Sequence, residues 1–250
     1  MSRDIPADPD AATLARAVSE VVEPTFSRLA RVAAAVAASR PGDGAVWSER
    51  HLGVVVDQVD VAIAEDNLAV GMGFAAAPGA VEGRDRFMAW RQRLGERVMR
   101  LQLNFDPTSV DVYDYLQMEW FQLAEQGRER VAFGPYVDYS GAGLYVVTLT
   151  IPVLIDGAFV GVVGADLIAH ELEKRLVGVL QTCPLDAVVI SAERRVIAAN
   201  TPRWVAGARL RALPEVLVPA ERPEFVDVAA LPVGTGWTLA LSEKEGGGTD

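Results

Sequence analysis

Cysteine and histidine are almost absent: Cys183, His51 and His170 are the only ones in 250 residues. One cysteine excludes an intramolecular disulfide framework, and three such side chains are poor material for a zinc site, so no metal or cofactor is expected. Positive charge is also scarce. Lys and Arg number 23 against 34 Asp and Glu, a formal charge of −11, which disfavours nonspecific binding to phosphate backbones and anionic lipid. No nucleic acid and no membrane partner are expected. Long apolar runs are lacking, since the greasiest early tract spans only Val32 to Ala38 between Arg31 and Arg40, far short of the ~20 residues that cross a bilayer. The opening stretch, with Asp4, Pro6, Asp8, Pro9 and Asp10, is unlike the basic-then-apolar start of an export signal. A cytoplasmic location is the resulting expectation. Nucleophile elbows and phosphate loops are missing too, and neither histidine stands beside the candidate acids, so no catalytic residue is assigned and an enzyme is not expected.

What is present is an ordinary folding composition, 50% hydrophobic and 23% charged. Leu14, Val18, Val21, Val22, Phe26, Leu29, Val32 and Val36 recur at helical spacing, predicting a helix over 11–39 that Pro24 kinks or interrupts. Its apolar stripe packs on its own domain, forms a homodimer seam, or does both. A second helix is expected over 47–63 with Ser48 as cap, then a strand over 67–77. That strand contains Gly71-Met-Gly73-Phe-Ala-Ala76, which superficially matches a dinucleotide fingerprint. Pro78 and Gly79 stop the segment before any helix can start inside the glycines, so the better account is a strand lying close to another backbone.

The spacing of Phe87, Trp90 and Leu94 predicts a helix over 84–95, followed by strands over 98–105 and 110–113. A helix over 114–125 stops at Gly127. Two apolar runs, 144–154 and 158–166, flank Asp156-Gly157, a strong hairpin signal. A helix over 168–180 follows. After Pro184 a smaller hairpin (187–190 and 195–199, turning near Glu193-Arg194) and strands over 224–230 and 235–241 predict a second sheet, with a disordered glycine-rich tail. The domain reading is an N-terminal helical region over 1–43, a distal module over 44–182, a proximal module over 183–244 and a tail over 245–250.

Tyr113 to Asp166 carries the chemistry. Aromatics and carboxylates there stand on elements that can converge, and that combination suits a cation: carboxylates accept charge-assisted hydrogen bonds while aromatic faces attract the same charge and exclude water. Tyr113, Trp120, Tyr136, Asp138 and Asp166 also resemble, in order and type, the distal signature of the double Cache sensor domains of bacterial signal transduction. That signature has a tyrosine, an Arg-x-Trp-Tyr segment, a Tyr-x-Asp pair and a later aspartate. Phe121 stands where the second tyrosine is expected and Met118 where the arginine is expected.

The resemblance implies an α+β fold, a long N-terminal helix followed by two PAS-like antiparallel-sheet modules, with ligand in the distal one. In amino-acid-binding members the arginine holds the ligand carboxylate and the aspartates hold its amino group. Met118 offers no charge, so the expectation shifts to a cationic amine held by Tyr113, Met118, Trp120, Phe121, Tyr136, Asp138 and Asp166. Asp114, Tyr115 and Glu119 are weaker candidates. Signalling would pass through a separate protein. An amino-acid-binding Cache protein, a structural dimerisation protein with a degenerate pocket and a carboxylate-dependent enzyme remain as alternatives.

Overall fold

The computed structural model describes residues 10–42, 46–139, 143–215 and 224–244. The backbone divides into two units, Glu23–Glu171, and Met1–Val22 with Leu172–Asp250. The glycine-rich tail lies outside the described residues.

Helix α1 (Ala11–Ala38) runs through Pro24 as one assigned helix rather than being interrupted there. Pro24 is exposed, so the carbonyl that loses its helical donor can be solvated. Val18, Val22, Phe26, Leu29 and Val36 are each at most 1% exposed within the single chain. The stripe is thus consumed internally, and it offers no surface to the dimer seam proposed for it.

The larger unit is built on a six-stranded antiparallel sheet of β1 (Ala69–Ala76), β2 (Met88–Leu94), β3 (Arg97–Arg100), β4 (Val131–Val137), β5 (Tyr145–Ile155) and β6 (Ala158–Ile168), in the order β3-β2-β1-β6-β5-β4. Asp156 (φ 52°) and Gly157 (φ 80°) close the β5–β6 hairpin in the left-handed region that such a two-residue turn requires. Helix α2 (Gly53–Glu65) packs on β1, β2 and β3, and helix α3 (Glu119–Glu125) packs on β4, β5 and β6.

Five local expectations are corrected. Residues 84–95 contain β2 and no helix. Its two-residue period is masked because Arg91 and Arg93 face α2 and are themselves satisfied, Arg91 by Asp60 (2.7 and 3.1 Å) and Arg93 by the carbonyls of Ile63 and Asp66 at the end of α2. α2 begins at Gly53, and Ser48 lies in a preceding turn against His51. The strand over 98–105 shrinks to β3, and residues 110–113 form no strand. There Asn104 and Asp106 accept hydrogen bonds from the N–H groups of Asp106 and Thr108, holding a compact turn in place of a ladder. The helix over 114–125 is broken: Tyr115–Gln117 is a 3-10 turn and Met118 is extended (ψ 134°) before α3 starts. Gly127, at φ 96°, ends α3 as expected.

The smaller unit holds a four-stranded antiparallel sheet of β7 (Asp186–Ile190), β8 (Val196–Ala199), β9 (Asp227–Ala230) and β10 (Thr238–Ser242), in the order β8-β7-β10-β9. Asn200 ties it to helix α4 (Ala169–Leu180), donating to the carbonyls of Leu180 and Leu185 (both 3.0 Å) and accepting from the Ala187 N–H (2.8 Å). Among the described residues no helix is long and apolar enough to cross a membrane.

Candidate functional site

Strand alternation decides which side chains meet. Registered partners share a face, so Trp90, Gly73 and Gly164 lie together, as do Gly71, Asp166 and Thr148. This is the face that α3 covers, pinned by a 3.0 Å hydrogen bond from the Thr150 hydroxyl to the Trp120 carbonyl.

Three glycines make room for one indole. A Cβ at Gly71 would stand 2.8 Å from Trp90 Nε1, one at Gly73 2.8 Å from Trp90 Cε3, and one at Gly164 3.1 Å from Trp90 Cη2. Trp90 therefore lies flat on a floor from which side chains are absent, as the reading of a close approach at Gly71 and Gly73 anticipated. Its indole nitrogen lies beside Asp166, near enough to favour the ionised carboxylate, and the Thr148 hydroxyl donates to Asp166 Oδ1 at 2.7 Å. Thr148 Oγ1 and the Tyr136 hydroxyl are 2.9 Å apart. With its own proton directed at Asp166, Thr148 can only accept from Tyr136, which fixes a relay from Tyr136 through Thr148 to Asp166.

The electrostatics are those of negative charge held out of water. Burial, first, and then the Asp138 carboxylate push Asp166 up to about 7, against the lowering pull of the Thr148 hydrogen bond and of the Trp90 indole. Burial, with Asp138 and Asp166 adding to it, likewise raises the Tyr113 and Tyr136 hydroxyls far above the usual phenol range, so both stay protonated. Among the described residues no Arg or Lys contributes to the shifts at Asp166, Tyr113 or Tyr136. Tyr113, Trp120, Asp138 and Asp166 are all buried, none more than 7% exposed.

Five of the seven expected residues thus share one neighbourhood: Tyr113, Trp120, Tyr136, Asp138 and Asp166. Tyr113 is held by its N–H bonding the Asn104 carbonyl at 2.7 Å. Trp120 stands beside Trp90 (ring centroids 6.4 Å apart) and stacks on Tyr115. Its buried indole N–H has no hydrogen-bond partner with acceptable geometry, though it is near enough to the Tyr136 hydroxyl to favour that group's ionised form slightly. Phe121 lies behind Trp120 in the aromatic core, edge-on to Trp120 and Phe159 and wholly buried. Met118 is half-buried against the same core at the break before α3.

The weaker candidates have structural roles. The Tyr115 hydroxyl donates to the Ala76 carbonyl at 2.6 Å and accepts from the Phe87 N–H. Asp114 is paired with Arg86 by two hydrogen bonds, and Glu119 is exposed. Trp90 and Thr148 were not anticipated as site residues. The available signal was an aromatic due to pair with a Gly-x-Gly strand, and the wrong secondary structure at 84–95 hid it.

Residues 56–174 match the sequence family described as methyl-accepting chemotaxis protein-like, first PDC sensor domain. No curated protein matches the chain in sequence. Among solved structures, "Methyl-accepting Chemotaxis protein X" is 18% identical with a TM-score of 0.60, covering 93% of this chain and 95% of that one. The ligand-binding domain of the Campylobacter jejuni chemoreceptor Tlp3, in complex with L-valine, is 13% identical with a TM-score of 0.58, covering 93% and 90%. The ligand-binding domain of the Pseudomonas aeruginosa amino acid chemoreceptor PctC, in complex with GABA, is 15% identical with a TM-score of 0.56, covering 92% and 96%. The chain has the double Cache fold of these sensor domains, α+β with two antiparallel sheets, and the family match lies almost wholly in the larger unit.

Proposed function

We propose that the larger unit is a noncatalytic sensor module that encloses a small ligand bearing a protonated amine, held by Asp138 and Asp166 and walled by Tyr113, Trp90, Trp120 and Tyr136. The observation that carries this reading is the buried Asp166, raised by Asp138 and with no ion pair to an Arg or Lys among the described residues. An ammonium group would offset the burial of both carboxylates and donate to the lone pairs that Thr148 leaves open. Occupancy would then be passed to a partner protein, in the manner of the chemoreceptors to which the fold is similar.

A second reading, an amino acid or ω-amino acid as ligand, is favoured by one feature. The buried Trp120 indole N–H lacks a partner, and a ligand oxygen would satisfy it. The L-valine and GABA complexes of the structural neighbours agree with that reading.

Thermal-shift screening of amines beside their carboxylated counterparts, followed by calorimetry, tests both. A primary amine should raise the melting temperature and bind more tightly than the matching amino acid. Tighter binding of the amino acid selects the second reading, and silence to both classes supports a degenerate pocket.

A further inference from the structure

The opposite face of the same sheet carries an opening. A cleft of about 180 Å³ lies between Leu52, Val56 and Val59 on one side and β2 on the other, with Glu49 and Arg100 at its rim. Arg91 pairs with Arg100 across β2 and β3 and reaches Asp60 on α2, so both arginines are on the α2 face, away from Asp166. Ala89 shares that face, and its single methyl leaves the space that a larger strand residue would fill.

The charges around the cleft are unequal. Arg84 is held by Glu49 at 2.6 Å and Arg91 by Asp60. The Arg100 guanidinium has no ion pair or hydrogen bond among the described residues. An apolar floor is therefore overlooked by one uncommitted cation, in a chain whose net charge is −11.

We propose that this cleft is a second small-molecule site, taking a short-chain monocarboxylate. The hydrocarbon tail would lie against Leu52, Val56, Val59 and Ala89, and the carboxylate would accept from Arg100 in the forked geometry that guanidinium favours. The volume lies below the ~300–1,000 Å³ of drug-sized pockets, which limits the tail to a few carbons. Binding in the high micromolar to millimolar range is expected for so few atoms. This site does not rest on the amine reading: the side chains that would hold the ligand, Leu52, Val56, Val59, Ala89 and Arg100, have no part in the amine site, and Trp90 is the one lining residue that the two share.

Methyl-resolved NMR titration of the full chain tests it, with pentanoate, pentanol and pentylammonium as matched probes. Pentanoate should shift the Leu52, Val56 and Val59 methyls saturably and more tightly than either other probe. Arg100→Gln should weaken it about tenfold, as expected for loss of a charge-assisted hydrogen bond, with the remaining spectrum unchanged, and Arg100→Lys should restore part of the affinity. Absence of a saturable pentanoate shift overturns the proposal. Equal affinity for pentanol, or unchanged affinity in Arg100→Gln, overturns it as well.

Discussion

Trp90 Nε1 and Asp166 Oδ2 both lie 2.8 Å from the point that a Cβ on Gly71 would occupy. One hydrogen atom in place of a methyl thus permits the contact that orients the buried carboxylate. Gly71→Ala must displace the indole, the acid or the strand, and overpacking of this kind costs about 1–3 kcal/mol. Urea unfolding should show that loss, and calorimetry should show binding of any amine ligand abolished. Gly53→Ala is the control: its Cβ meets nothing within 4 Å and its φ is ordinary, so it should be neutral or stabilise α2 by up to ~1 kcal/mol.

Asp166 should make stability fall with rising pH. Its carboxyl is raised from 3.8 to about 7 in the folded chain, so the fold binds this proton more tightly than the unfolded chain does. The stabilisation is complete below 3.8 and lost as pH climbs through about 7, by a few kcal/mol at ~1.4 kcal/mol per pH unit. Asp166→Asn should flatten the profile between pH 5 and 8 and match or exceed the parent at pH 8, because Thr148 can reverse its hydroxyl and accept from the amide. The same variant should lose amine affinity by ~2–5 kcal/mol.

Amine binding should release a proton below pH 7. The ammonium favours the ionised Asp166, so calorimetric heats at pH 6 should vary with the ionisation enthalpy of the buffer, and affinity should rise from pH 5 to pH 8. Thr148→Val removes a hydrogen bond that lowers the Asp166 carboxyl. The affinity curve should then move to higher pH, and an unmoved curve would argue that Asp166 is not the titrating partner.

Trp120→Phe separates the two ligand readings. It keeps an aromatic wall and removes a buried N–H that has no partner, so the protein should lose only the cost of the smaller ring's cavity, about 1–2 kcal/mol. A plain amine should bind nearly as before, whereas a ligand that places an oxygen against the indole should lose about tenfold or more. Met118→Arg is the converse change: if residue 118 faces the ligand carboxylate, it should move the preference from amine toward amino acid.

Much of this architecture is legible in the residues. Asp156-Gly157 announces the long hairpin, the Gly71-x-Gly73 strand announces a close neighbour, and Tyr113, Trp120, Tyr136, Asp138 and Asp166 are drawn together as their order suggests. Strand β2 is not legible, because the arginines on its α2 face are stabilised by partners far away in sequence. β4 is not legible either, since Gly134 and Pro135, which strand interiors disfavour, are absorbed as an irregularity within it. Phe121 matches a ligand-facing position by register, yet its side chain is turned into the core. No local pattern tells these two orientations apart.

The depth of the acids sets a time scale. With Trp120, Asp138 and Asp166 all nearly sealed from solvent and α3 fastened to the sheet by Thr150, a ligand held as proposed would enter and leave only when part of this cover swings aside. Association should therefore run well below the diffusion limit, and dissociation should track the opening frequency rather than the strength of any one contact. A sensor working in this way would average over brief fluctuations in ligand concentration and report the slower trend.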